Sequence, residues 1–190
     1  VDELHDRLGP DAVATALDEV TRVVQHAAER QGICFLASDI DADGGKFILT
    51  AGVPTAVEDD EGRMLRALRV VADAGTTLPI KIGVNRGHVF AGEIGARFRS
   101  TYTVMGDTVN VASRLEEQGV AGRIQISEAT RMLLGEEFEW ESRGAIDIGK
   151  DIDIGARESR PARWRDIWSA GHSTSGVSGV LAVDDLVAQT

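Results

Sequence analysis

The sequence predicts an α+β sandwich, with helices laid on paired strands, and three observations predict it. Apolar residues recur at helical spacing in two separate stretches, Val13, Leu17, Val20, Val24 and Ala27 in one, and Met64, Leu65, Leu68, Val71 and Ala72 in the other. The strand-like runs come in pairs joined by turns rich in Gly and Asp. Helices that alternate with hairpins, rather than with single strands, disfavour a doubly wound parallel sheet. The third observation is size: 190 residues, 43% of them hydrophobic, can bury one substantial core, enough for one domain and an appendage.

In chain order, Pro10 and Asp11 open a helix that runs to about Arg30 and ends at Gly32. ICFLAS (33–38) and KFILTAG (46–52) follow as a hairpin across the acidic loop 39–45. The single Cys34 sits in the first of these runs and reads as a buried strand thiol, and one cysteine permits no disulfide within the chain. A second helix covers about 58–74, and Gly75 closes it. PIKIGVNRG and HVFAGEIG read as another pair turning near Arg86 and Gly87. Gly83, Gly87, Gly92 and Gly95 are taken as turn and hairpin residues, since no GxxxxGK followed by Ser or Thr is present. TYTVMG then leads through Gly106 to Asp107, which occupies an N-cap place, and into a third helix. RIQIS (123–127) is a strand, Ser127 caps a short helix to Leu134, and FEWES (138–142) is the last regular strand. Residues 156–190 mix Arg, Pro and Trp with a Gly/Ser tract at 173–179 and read as linker or poorly ordered tail. The expected division is a domain at 1–143, followed by a divergent closing segment and tail at 144–190.

A net charge of −11 and a pI near 4.8 argue against nucleic acid or an anionic membrane as the main partner, because both demand a basic surface. A nucleotide site in such a chain needs local positive charge. No run approaches the ~20 apolar residues of a membrane span. VDELHDRLGP has neither the basic region nor the apolar core of a secretory signal, so a cytoplasmic domain is expected, and a start at Val1 reads as N-terminal truncation. None of the four His has another His or Cys at ligand spacing, so no zinc site is expected.

The stretch YTVMGDTVNVASR (102–114) carries the chemistry. Asn110 and Arg114 are four residues apart on one face of the third helix, and Val111, Ala112 and Leu115 fall on the opposite side. Such a polar pair is common on an ordinary solvated face. An amide beside a rigid guanidinium fork also suits a sugar oxygen and a phosphate, and spacing alone does not choose between the two. The string itself resembles the signature of the class III nucleotidyl cyclases, the adenylyl and guanylyl cyclase catalytic domains, in which Tyr, a small or acidic residue, Gly and V-N-x-A-x-R occur in this order.

The resemblance covers roughly residues 11–141 and implies a ferredoxin-like core, a mainly antiparallel sheet with helices packed on it. It implies that Lys46, in the family's G-x-x-K place, reads the purine together with Thr103, that Asn110 orients the ribose, and that Arg114 stabilises charge in the transition state. Without the resemblance, Lys46 would read as an edge-strand charge. The family forms a 3′,5′-cyclic monophosphate and pyrophosphate at a site shared by two domains, with two divalent metals, Mg or Mn, held by paired Asp residues. Here the departures begin. The family's first strand, which bears a metal Asp, does not fit into residues 1–9, and the second metal Asp is replaced by Thr50. The implied metals therefore belong to a partner domain, and no metal ligand is assigned to this chain. Lys150 lies where a late-strand Lys meets the triphosphate in the family, but the pattern there has decayed, as IDIGKDIDIG shows.

The loop Asp39-Ile40-Asp41-Ala42-Asp43-Gly44 begins like a calcium loop. Its twelfth position is Thr50 where a bidentate Glu is needed, so a solvated hairpin turn is the better reading, with weak cation binding by three carboxylates left open. Two functions follow. One is the purine-reading half of an adenylate cyclase acting on ATP or a related purine nucleotide beside a second cyclase-type domain, like the second of two tandem domains in soluble-type cyclases and bacterial cyclase/ATPase regulators. The other is a catalytically silent domain that binds nucleotide or a partner and regulates an attached module.

Overall fold

The computed structural model describes residues 9–41, 44–96, 98–134, 136–144 and 173–184. The first element is α1 (Pro10–Gln31), with Pro10 at a position where a missing N–H costs nothing. Gly32 ends it in the left-handed conformation: its own N–H donates to the Glu29 carbonyl and that of Ile33 to the Ala28 carbonyl, the double closure that releases a chain sharply from a helix. The chain then enters β1 (Cys34–Asp41), which pairs antiparallel with β2 (Gly44–Ala51) as the expected hairpin. Cys34, at the start of β1, is half-buried rather than buried. Helix α2 (Asp60–Asp73) follows. Arg66 ties its entrance to the later chain, reaching Asp59 at 2.5 Å and Glu137 at 2.9 Å, and this guanidinium holds the Asp59 carboxyl below the usual carboxylate range.

Next comes β3, a single strand from Ile80 to Ala96, where the sequence suggested two strands turning near Arg86 and Gly87. It pairs antiparallel with β4 (Arg99–Met105) and parallel with β5 (Ile124–Ile126). Between them lies α3 (Asp107–Glu117), and after β5 comes the short α4 (Glu128–Arg131), where Ser127 accepts from the Thr130 N–H as an N-cap. Asp107 is the first helical residue of α3, not its cap. Gly106 holds the cap place with a φ of 140°, which a side chain rarely adopts. Residues 138–142 form no strand; Phe138 and Trp140 instead stack as a tilted ring pair with centroids 5.8 Å apart.

The Gly/Ser tract is the largest correction. It lies within β6 (Ser173–Asp184), a strand at the centre of the sheet, whose order is β1-β2-β6-β3-β4 with β5 on β3. β6 runs antiparallel to both neighbours, so every pairing except β3 with β5 is antiparallel. Short small-residue composition reads as flexible from sequence, but backbone pairing needs no particular side chain, and two flanking strands supply its backbone partners. Lys150 falls outside the described residues, as does the expected missing strand's place at 1–8.

Alternation along the strands divides the sheet into two faces. Phe47, Leu49 and Ala51 of β2 and Ile80, Ile82 and Val84 of β3 point to α1 and α2, forming one core with Val20, Val24, Met64 and Leu68, all four at 0% exposure. Truncating any one of the large members to Ala would cost about 2–5 kcal/mol. The other face carries α3 and a smaller cluster of Val53, Val89 and Val104, against which Leu36, Ile48, Ala91 and Val109 pack. No helix among the described residues is long and apolar enough to cross a membrane.

Candidate active site

The site builds on the α3 face of the sheet. Helix α3 approaches β3 closely because β3 has no side chain at two points of contact: a Cβ on Gly83 would lie 2.1 Å from the Ala112 carbonyl oxygen, and one on Gly87 would lie 2.5 Å from Thr108 Oγ1. These glycines, and Gly92 in the same strand, are therefore not turn residues; of the four, Gly95 alone has a positive φ. A buried polar network fixes the start of α3. Thr108 Oγ1 donates to the His88 carbonyl at 2.8 Å, and Asn85 Nδ2 donates to the Thr108 carbonyl at 3.2 Å. Ser127 Oγ in turn donates to Asn85 Oδ1 at 2.7 Å, and the Arg86 N–H donates to Thr130 Oγ1 at 2.9 Å, so α4 braces the same strand. Asn85, Thr108 and Thr130 are buried, where unpaired polar atoms would be costly, and each is satisfied.

On the helix so held, Asn110 is exposed and Arg114 half-buried, one turn apart. Lys46 comes to them from β2: its Nζ donates to Ser113 Oγ at 3.2 Å. Ser113 lies three residues after Asn110, so the bond brings the β2 cation to the side of α3 that carries Asn110, with Arg114 the next residue along the helix. Sequence reading missed Ser113; its i+3 spacing from Asn110 was the one available signal.

Thr103 stands apart from this group. It is half-buried on β4 opposite Gly92, and since its neighbour Val104 enters the Val53 and Val89 cluster, strand alternation turns Thr103 to the other side of β4. Among the described residues no side-chain hydrogen bond joins Thr103 to Lys46. Thr50, in the place of the second metal carboxylate, is 1% exposed and donates its hydroxyl to the Val53 carbonyl at 3.2 Å. An alcohol committed to a backbone carbonyl is a poor ligand for a hard divalent cation, which takes carboxylates and water. The described residues hold no group of three or more His, Cys, Asp or Glu that could hold a metal ion. Among the described residues the donor set therefore does not fit the two-metal centre that the resemblance implies. Asp39 lies in β1, paired with Lys46, and residues 42–43 of the acidic loop are outside the described ones.

A mainly antiparallel sheet with α1 and α2 on one face, and α3 held to the other with Lys46 of β2 bonded to Ser113, defines the class as an α+β domain. The chain belongs to the adenylate and guanylate cyclase catalytic domain family, whose model matches residues 3–156. It is 32% identical over 151 residues to an adenylate cyclase of Mycobacterium bovis, covering 75% of this chain and 31% of that protein. It is 28% identical over 159 residues to the guanylate cyclase soluble subunit beta-2 of Rattus norvegicus, covering 70% of this chain and 23% of that one. The chain thus spans less than a third of the length of these relatives. Among solved structures, its fold is similar to the guanylate cyclase domain of RhGC from Catenaria anguillulae in complex with GTP, with a TM-score of 0.67 at 21% identity, over 95% of this chain and 90% of that one.

Proposed function

We propose that this domain supplies the purine-reading and charge-stabilising half of an adenylate cyclase site, completed by a second cyclase-type domain as in tandem arrangements. Lys46 reads the base, with Thr103, which β4 turns away from Lys46, as the second base contact that the resemblance implies; Asn110 holds the ribose, and Arg114 meets the negative charge that develops when the ribose 3′-oxygen attacks the α-phosphorus. A 3′-O–P bond forms, the α–β phosphoanhydride breaks, and pyrophosphate leaves. The observation that supports this most is the Lys46–Ser113 bond at 3.2 Å, which joins a residue of β2 to the side of α3 that carries Asn110. Mg or Mn ions belong, in this reading, to the carboxylates of the partner.

The test is reconstitution with a cyclase domain that retains both metal Asp residues. Arg114→Ala should lower turnover by ~100- to 1,000-fold with KM nearly unchanged, because its charge partner exists only in the transition state. Asn110→Ala should act through misplaced ribose, and the double variant should lose less than the sum of the two effects. An active wild-type pair whose turnover ignores both substitutions would sink the assignment. The second reading, a catalytically silent regulatory domain, is favoured by Thr50 being a structural hydroxyl where a carboxylate would be needed. A correctly assembled wild-type pair that makes no product would decide for it.

A further inference from the structure

We infer that Ser113 is a positioning residue for base recognition: its hydroxyl fixes the Lys46 ammonium against α3, on the side that carries Asn110, and so sets how tightly a purine nucleotide is held. This rests on the proposed function of the same face. A lysine has a flexible four-carbon stem and a point charge, so a strand position alone leaves its ammonium free to sample many places. Lys46 Nζ is given one place by Ser113 Oγ at 3.2 Å. The acceptor is itself immobile, since Gly83 and Gly87 let α3 sit directly on β3 and the Asn85 amide holds the Thr108 carbonyl at 3.2 Å.

The valence arithmetic makes the contact supportive and not competitive. An ammonium has three protons, one goes to Ser113, and two remain for acceptors on a base. The serine keeps its own proton to donate. Because Ser113 sits between Asn110 and Arg114 in sequence, one helical turn sets the positions of the base, ribose and phosphate groups together, and preorganisation of this kind strengthens binding by reducing what must be ordered when the ligand arrives.

The purified chain paired with a cyclase domain that retains both metal Asp residues, titrated in the absence of Mg and Mn with ATP and separately with inorganic tripolyphosphate by calorimetry or NMR, tests this. Ser113→Ala should weaken ATP by about tenfold, the low end for a lost charge-assisted bond at a partly exposed site, and leave tripolyphosphate affinity unchanged. Ser113→Thr should keep wild-type ATP affinity, and an unchanged melting temperature shows that the fold is intact. ATP binding by Ser113→Ala equal to or tighter than wild type overturns the inference, as does a parallel loss of tripolyphosphate, which would mark a structural role. Lys46→Ala separates the two levels. If it weakens ATP while Ser113→Ala does not, the positioning role fails alone; if it binds ATP like wild type, or if the wild-type pair binds none, the base-reading role fails and takes the inference with it.

Discussion

Thr50 stands where the resemblance implies a metal carboxylate and Thr103 where it implies an Asp or sometimes a Thr, and the structure treats them differently. Thr50 is buried and committed to the Val53 carbonyl, so its hydroxyl has a structural use. Thr103 is half-buried on β4, four residues before α3 begins. If Thr103 reads the base, a hydroxyl that can donate or accept discriminates weakly, and Thr103→Asp should fix one pattern and sharpen the preference for ATP over GTP. Titrations with both nucleotides check this, and equal ratios before and after the change would remove Thr103 from the site. At this scale the sequence named Lys46, Asn110 and Arg114 by their places in a motif. It did not name Ser113: the i+3 spacing from Asn110 marks only a shared helix face, and the hydrogen bond to Lys46, 67 residues away in sequence, is created by the sheet.

The glycines of β3 make the corresponding point about elements. A Gly in a strand-like run signals a turn or a close backbone approach, and only the neighbour decides which. At Gly83 the neighbours are backbone atoms of α3: an added methyl would lie 2.1 Å from the Ala112 carbonyl oxygen and 2.4 Å from the Glu116 amide nitrogen, and these cannot swing aside. Gly83→Ala should therefore push α3 off the sheet, costing about 1–3 kcal/mol and weakening ATP binding in the same variant. Gly92→Ala is the control: its Cβ would meet the ring of Phe90 at 3.2 Å, the far end of a side chain that can rotate. Thermal melts that show equal losses for the two would contradict the close-approach account. The helices themselves were legible, since Val20, Val24, Met64 and Leu68 recur at the period that buries one face, and Gly32 ends α1 where its composition predicts.

For the whole molecule, β6 is the strand that joins β1 and β2 to β3 and β4, with Lys46 on one side of the join and Asn110, Ser113 and Arg114 on the other. A chain ending before Ser173 should lose its single cooperative melting transition and its ATP binding together, as followed by circular dichroism and calorimetry. A truncated chain that melts like the full one would show that β6 is dispensable. The full chain, with Thr50 in place of the metal carboxylate, should not convert ATP to cyclic AMP by itself. Formation of cyclic AMP by the purified chain with Mn²⁺ would defeat that expectation. The sequence by itself determined the α+β class, the helices α1, α2 and α3, the β1–β2 hairpin and the family, because periodic burial and a contiguous motif are local properties of the chain. Only the tertiary structure decided that β3 is one strand, that the Gly/Ser tract is central, and that Ser113 holds Lys46, because each depends on partners brought from far along the chain, and backbone pairing and close packing leave no trace in residue types that are small or polar.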